Sequence, residues 1–141
     1  MEIKKITELT EKVVEAVLKL LPQLASEADL PSKEYLNDII ASDNVHLFMA
    51  ESDGEIIGML SIATYKIPTG IKVWIEDVVI DGSQRGKGLG EELMQFAIDY
   101  SKTLGARSVG LTSRPSRIAA NKLYQKIGFV QYETNVYKYL L

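Results

Sequence analysis

The sequence predicts an α/β fold of the layered α+β kind, a mixed, mostly antiparallel sheet of about seven strands flanked by about four helices. Three observations carry this. Short runs rich in β-branched residues alternate with stretches whose apolar residues recur at helical spacing. No repeat, low-complexity tract or Pro/Gly/Ser-rich linker divides the chain, so residues 1–141 read as a single domain. Apolar residues make up 46% and charged residues 25%, an ordinary globular balance with material for a real core.

Glu2 to Ile6 reads as a short edge strand. A helix follows from about Thr10 to Leu21, with Val13, Val14, Val17, Leu18 and Leu21 on one face. Pro31-Ser32 opens a second helix: Ser32 is its N-cap, and Tyr35, Leu36, Ile39 and Ile40 form its apolar face. Val45 to Glu51 is strand-like, Ser52-Asp53-Gly54 is a hairpin turn, and Glu55 to Thr64 is the return strand. After the turn at Pro68-Thr69-Gly70 comes Ile71 to Ile80, IKVWIEDVVI, a strand by its β-branched content. Asp81 to Gly90 is a glycine-dense loop. Leu89, Leu93, Phe96, Ala97 and Tyr100 line a helix that stops near Leu104-Gly105. Ser108 to Thr112 is expected as a strand, Ile118 to Ile127 as a helix ended by Gly128, and Phe129 to Tyr132 and Val136 to Leu140 as two last strands.

A formal net charge of −3 argues against nucleic acid as the main partner, since no excess of Lys and Arg is present to neutralise phosphates. With no cysteine, disulfides, thiolate zinc sites and cysteine nucleophiles are excluded. Charges at Glu8, Glu11, Lys12 and Glu15 interrupt the first apolar stretch. It is therefore expected to be neither a signal peptide nor a membrane span, which makes a cytoplasmic location the default expectation. His46, the single histidine, reads as structural or exposed.

The segment that carries chemistry is Gln84-Arg85-Gly86-Lys87-Gly88-Leu89-Gly90, set between a strand and a helix. A helix N-terminus offers unpaired N–H groups and partial positive charge. Glycines let a phosphate approach that backbone, and Arg85 and Lys87 add cations. The expected ligand is a phosphate or pyrophosphate. A P-loop needs GxxxxGK followed by Ser or Thr, whereas GSQRGK is one residue short and Gly88 replaces the hydroxyl. A Rossmann turn needs GxGxxG and an acid ending the next strand; here the spacing is GxGxG, and SVGLTS ends without one.

Arg85, Gly88 and Gly90 instead fit the pattern Arg/Gln-x-x-Gly-x-Gly/Ala, and IEDVVID leads into the turn. Downstream, AANKLYQKIGF (Ala119 to Phe129) places a helical Tyr before Gly-Phe. In these two segments, in their order and separation, the chain resembles the GNAT superfamily of acyl-CoA N-acetyltransferases. The resemblance implies a sheet splayed at its centre and acetyl-CoA as co-substrate, with no metal required. It also implies that backbone groups of Val78, Val79 and Ile80 pair with the pantetheine arm. Arg85, Gly86, Lys87, Gly88, Leu89, Gly90 and Glu91 would then surround the pyrophosphate. Tyr124 matches the tyrosine that protonates the departing thiolate, a phenol holding its proton at neutral pH. Asn121 matches a contact to the pantetheine or phosphate end. Arg117 stands where many members have Asn and is within reach of a cofactor phosphate, with Arg114 and Lys122 as further cations near it.

The attacking amine is mostly an ammonium at neutral pH, so a general base is needed. The resemblance points to Glu76, as base or equally as a substrate ligand. Strand alternation sets Glu76 with Trp74 and Val78 and turns Asp77 the other way, while Asp81 reads as a loop cap. The implied reaction is direct transfer from acetyl-CoA to a primary amine in a ternary complex, a non-catalytic acyl-CoA sensor being the alternative. The acceptor, a small molecule or a peptide amine, is left open, and the acidic chain favours a small or cationic one. Trp74, the Tyr65 to Gly70 loop, Ser26, Glu27, Asp29 and Tyr35 are its expected surroundings. The resemblance also allows a homodimer.

Overall fold

The structure is a computed structural model that describes residues 1–141. In chain order it contains β1 (Glu2–Lys5), α1 (Glu11–Leu24), α2 (Lys33–Ala41), β2 (Val45–Ser52), β3 (Glu55–Ile67), β4 (Gly70–Ile80), a 3₁₀ turn at Gly82–Gln84, α3 (Leu89–Thr103) and α4 (Ile118–Lys126). Local chemistry starts the first two helices. Thr10 and Ser32 sit in extended backbone and accept from the N–H groups of Val13 and Tyr35, at 3.3 and 3.1 Å.

The four strands form one antiparallel sheet in the order β1-β2-β3-β4. Asp53 and Gly54, at φ 52° and 80°, make the two-residue turn that pairs Ser52 with Glu55. Period-two alternation divides the core between the two faces. Leu47, Met49 and Met59 pack with Val13, Val17 and Leu20 of α1 and Leu36 of α2. Phe48, Leu60 and Ile62 pack with Leu93, Met94 and Ala97 of α3. Full burial of Leu20, Leu60, Ile62 and Leu93 contributes about 1.5–3 kcal/mol each. The buried His46 ring lies edge-on to Tyr100 at 5.5 Å, a structural position as expected.

Three of the seven expected strands do not form, and the sheet is antiparallel and not mixed. Ser108 to Thr112 contributes a single parallel bridge, Gly110 to Trp74. Ile75 N–H donates to the Gly110 carbonyl at 2.9 Å, and Gly110 N–H donates to Val73 at 3.0 Å. Phe129–Tyr132 and Val136–Leu140 form no strand. Gly128, at φ 104°, turns the chain, and Phe129 N–H closes on the Tyr124 carbonyl at 2.9 Å. From residue 130 onward no backbone hydrogen bond is made. β-branched and aromatic residues favour a strand only when an edge is there to receive it. In this arm Val130, Tyr132, Val136, Tyr137 and Tyr139 stand 80–88% exposed.

Candidate active site

The glycine-rich turn is a row of free donors. Gly86 and Gly88 take φ of 78° and 79°, conformations in which a side chain is strained. A Cβ at either would meet nothing within 4 Å, so the space in front of them is open. Arg85 N–H still bonds the Gly82 carbonyl, and Glu91 and Glu92 N–H both bond that of Gly88. The five N–H groups between, Gly86 to Gly90, have no acceptor within the chain. Together with the α3 dipole they form an anion cradle. Arg85 and Lys87 are exposed beside it, and Lys87 Nζ rests on Gln84 Oε1 at 2.7 Å.

Helix α1 holds the turn's entry. Gly82 N–H donates to Gln23 Oε1 at 2.8 Å, and Lys19 Nζ reaches Asp81 at 2.6 Å. The Lys19 ammonium, with the N–H and hydroxyl of Ser83, holds the Asp81 carboxyl down to about 2. Asp81 is thus the loop cap that the sequence indicates. Glu91 is tied to Lys126 of α4 at 2.5 Å.

Strand β4 supplies the second part. Opposite Leu60 two residues stand against one, because Ser61 pairs with Glu76 while Met59 pairs with Val79. This bulge at Asp77-Val78 reverses the alternation. Val73 and Ile75 face the α3 side, and directly beyond the bulge Val79 faces the α1 side. Asp77 sits at the phase change with φ 51°. The outer edge of β4 loses its partner after Ile75, the last residue bonded to Gly110, leaving Glu76 to Ile80 without a neighbour on that side.

Helix α4 brings the third. The φ of Gly128 folds Phe129 back onto Tyr124, ring centroids 6.0 Å apart, and fixes a half-buried phenol. Arg117 Nη2 donates to the Leu24 carbonyl at 2.5 Å and ties α4 to the end of α1.

The end of α1, strand β4, the segment from Leu111 to Arg114 and helix α4 border a cleft of about 440 Å³. Of the residues singled out from the sequence, Glu76, Val78, Arg114, Arg117 and Tyr124 line it. Val79 lies in the core, and Ile80, Asn121 and the turn residues Arg85 to Glu91 stand outside the lining. Asn121 Nδ2 is spent on the Arg114 carbonyl at 2.9 Å, bracing the loop before α4. Asp77, expected to face away, lines the cleft beside Glu76, because the bulge cancels the alternation on which that expectation rested. Thr112, Ser113 and Val136 also line it without any sequence signal, and the buried Ser113 Oγ has no hydrogen-bond partner. Burial raises the Glu76 carboxyl, reinforced by the charge of Asp77; burial likewise raises the Asp77 carboxyl and the Tyr124 phenol, the latter opposed by Arg117. The cleft therefore offers two carboxylates biased toward accepting a proton and a phenol biased toward keeping one.

The sequence profile described as "Acetyltransferase (GNAT) family" matches residues 11–129. A glucosamine 6-phosphate N-acetyltransferase of Trypanosoma brucei brucei is 30% identical over 132 residues, covering 89% of this chain and 88% of that protein. A mycothiol acetyltransferase of Thermomonospora curvata is 33% identical over 94 residues, covering 67% of this chain, which spans only 31% of that protein's length. Among solved structures, AAC(6')-Iy in complex with the bisubstrate analog CoA-S-monomethyl-acetylneamine superposes with a TM-score of 0.78 at 20% identity, covering 99% of this chain and 97% of that one. With the profile spanning α1 to Phe129, this chain belongs to the GNAT family of acetyltransferases.

Proposed function

We propose that the chain transfers an acetyl group from acetyl-CoA to a small-molecule primary amine, both bound at once. The observation that carries this is the row of five unpaired N–H groups from Gly86 to Gly90 at the start of α3. It is a seat for a pyrophosphate. The unpartnered β4 edge from Val78 to Ile80 suits an extended amide-bearing arm such as pantetheine, and Glu76 and Tyr124 both line the cleft. Family membership and the CoA analog held by the AAC(6')-Iy structure support the donor. The relatives named for glucosamine 6-phosphate and mycothiol support a small-molecule acceptor.

In the reaction the amine nitrogen attacks the thioester carbonyl carbon and the carbon–sulfur bond breaks. The ammonium gives up two protons in all. Glu76 takes one and passes it to solvent; the sulfur gains one, delivered by Tyr124, which is refilled from the nitrogen. The products are the amide, free thiol CoA and one proton. Arg117, already bonded to Leu24, acts as a brace whose charge faces Tyr124.

Thioester consumption by the purified chain across a panel of primary amines tests this reading. Amine-dependent release of free thiol is expected. CoA binding without release in any amine would make the domain an acyl-CoA sensor.

A further inference from the structure

Four of the nine residues from Gly82 to Gly90 are glycine. Glycine loses more freedom on ordering than any other residue, so this segment resists being held in one shape. Its bonds from Lys87 to Gln84 and from Ser83 to Asp81 are internal and travel with it. Three polar contacts tie residues 81–87 to other elements. Asp81 N–H donates to the Ile57 carbonyl of β3 at 2.8 Å. The other two come from α1: Gln23 Oε1 accepts from Gly82 N–H, and Lys19 Nζ pairs with Asp81. Lys19 and Gln23 stand one helical turn apart on a single face. Gln23 Nε2 donates to the Lys19 carbonyl at 3.2 Å, which turns Oε1 toward Gly82. The helix beneath them is a firm base. Val13, Val17 and Leu20 are buried, and Arg117, just before α4, binds the Leu24 carbonyl from the other side. Neither Lys19 nor Gln23 lines the cleft.

We propose that Gln23 and Lys19 are positioning residues: from the last turns of α1 they hold the glycine-rich turn in its phosphate-binding shape before the cofactor arrives. The inference rests on the acetyl-CoA reading and adds residues that serve it without touching the cofactor. A turn that adopts its binding shape only part of the time shows an affinity reduced by that fraction, so a bond that favours the shape strengthens binding. Losing one neutral hydrogen bond shifts such an equilibrium about three- to tenfold. Gln23 is exposed, so its replacement changes the stability of the fold little and the loss is read in binding. Lys19 has a second duty as the cation beside the buried Asp81 carboxylate, and its removal acts on the fold as well. Gln23 is neutral and isolates the positioning.

Gln23→Met keeps the length and helix preference of the side chain and removes the acceptor for Gly82 N–H. The test is calorimetric binding of CoA by the full chain and an NMR titration with pantetheine, which lacks the pyrophosphate. Backbone order parameters of Gly86 and Gly88 are measured with and without CoA. In Gln23→Met the Kd for CoA is expected to rise about three- to tenfold, with the Kd for pantetheine and the Tm unchanged. The order parameters of Gly86 and Gly88 fall below those of the parent in the free variant and match them in the CoA complex. Lys19→Arg, which keeps the cation, binds CoA as the parent does, and Lys19→Met binds it more weakly. An unaltered Kd for CoA in Gln23→Met, or an equal weakening for CoA and pantetheine, overturns the positioning role while the acetyl-CoA reading stands. Equal affinity in Lys19→Arg and Lys19→Met removes Lys19 from that role. Absence of CoA binding by the parent overturns both the role and the reading on which it rests.

Discussion

At the scale of single residues the chemistry turns on two opposite demands for a proton. In the proposed reaction Glu76 must lose its proton to work and Tyr124 must keep one. Burial lifts both groups above their ordinary values, with the Asp77 charge adding to Glu76 and Arg117 opposing at Tyr124. For the carboxylate the working form is the ionised one, so activity rises as pH climbs through its raised value. For the phenol the working form is the neutral one, so activity falls only on the alkaline side, above the ordinary phenol range. Removing the hydroxyl while keeping the ring against Phe129 isolates the second effect. Tyr124→Phe is expected to lower kcat about 10²-fold, the usual scale for losing a positioned acid, with the KM for acetyl-CoA nearly constant. The alkaline limb of the pH profile should go with it. Stopped-time assays from pH 6 to 11 read both; an unchanged kcat across that range removes Tyr124 from proton transfer. Tyr124 was legible in sequence because Gly128-Phe129 stands four and five residues on, and the structure gives the reason, a positive φ that folds Phe129 back on the ring. The true facing of Asp77 was not legible. One inserted residue reverses a period-two pattern, and nothing in IEDVVI marks where the insertion falls.

At the scale of elements, the proposed phosphate seat at the start of α3 comes from backbone conformation and not from any side chain. Gly88 caps α3 in the left-handed region with no side-chain bond to satisfy the helix donors, so those donors are left for a ligand. The spacing of the glycines made this readable in advance. The contribution of α1 was not readable, since Lys19 and Gln23 are ordinary exposed helix residues until the fold sets them against Asp81 and Gly82. Gly88→Val forces a β-branched residue to φ near 79°, at a cost of about 1–3 kcal/mol, and puts its side chain where the phosphates would lie. The variant should melt a few degrees lower and bind CoA at least tenfold more weakly by calorimetry. Turnover of S-acetylpantetheine, which has no pyrophosphate, should stay near that of the parent. An equal loss with both thioesters would mean that the turn acts on the whole fold and not on the phosphates.

At the scale of the whole molecule the sheet ends early. Strands β2 to β4 were legible because each is joined to a partner next to it in sequence by a turn that the residues announce, and β1 because a short run with β-branched residues precedes the first helix. The last three were read from propensity alone, which says that a segment suits a sheet and not that an edge awaits it. The molecule is thus left with one short outer segment and one unpaired arm. The segment around Gly110 is bonded to β4 through Val73 and Ile75, and the arm of residues 130–141 has no backbone partner. Val136 in the arm still reaches the cleft, although the rest of the arm exposes Val130, Tyr132, Tyr137 and Tyr139 to solvent. Exposed apolar surface and an unpaired strand former are features that association removes. A second copy carries both the arm and a matching edge, and reciprocal exchange closes under twofold symmetry. We therefore propose a homodimer in which each arm pairs with the Gly110 segment of the other copy. Sedimentation velocity from 1 to 100 μM is expected to show a dimer for the full chain and a monomer for a chain ending at Phe129. A full chain that sediments as a monomer throughout this range excludes the exchange, and a truncated chain that still dimerises places the interface elsewhere.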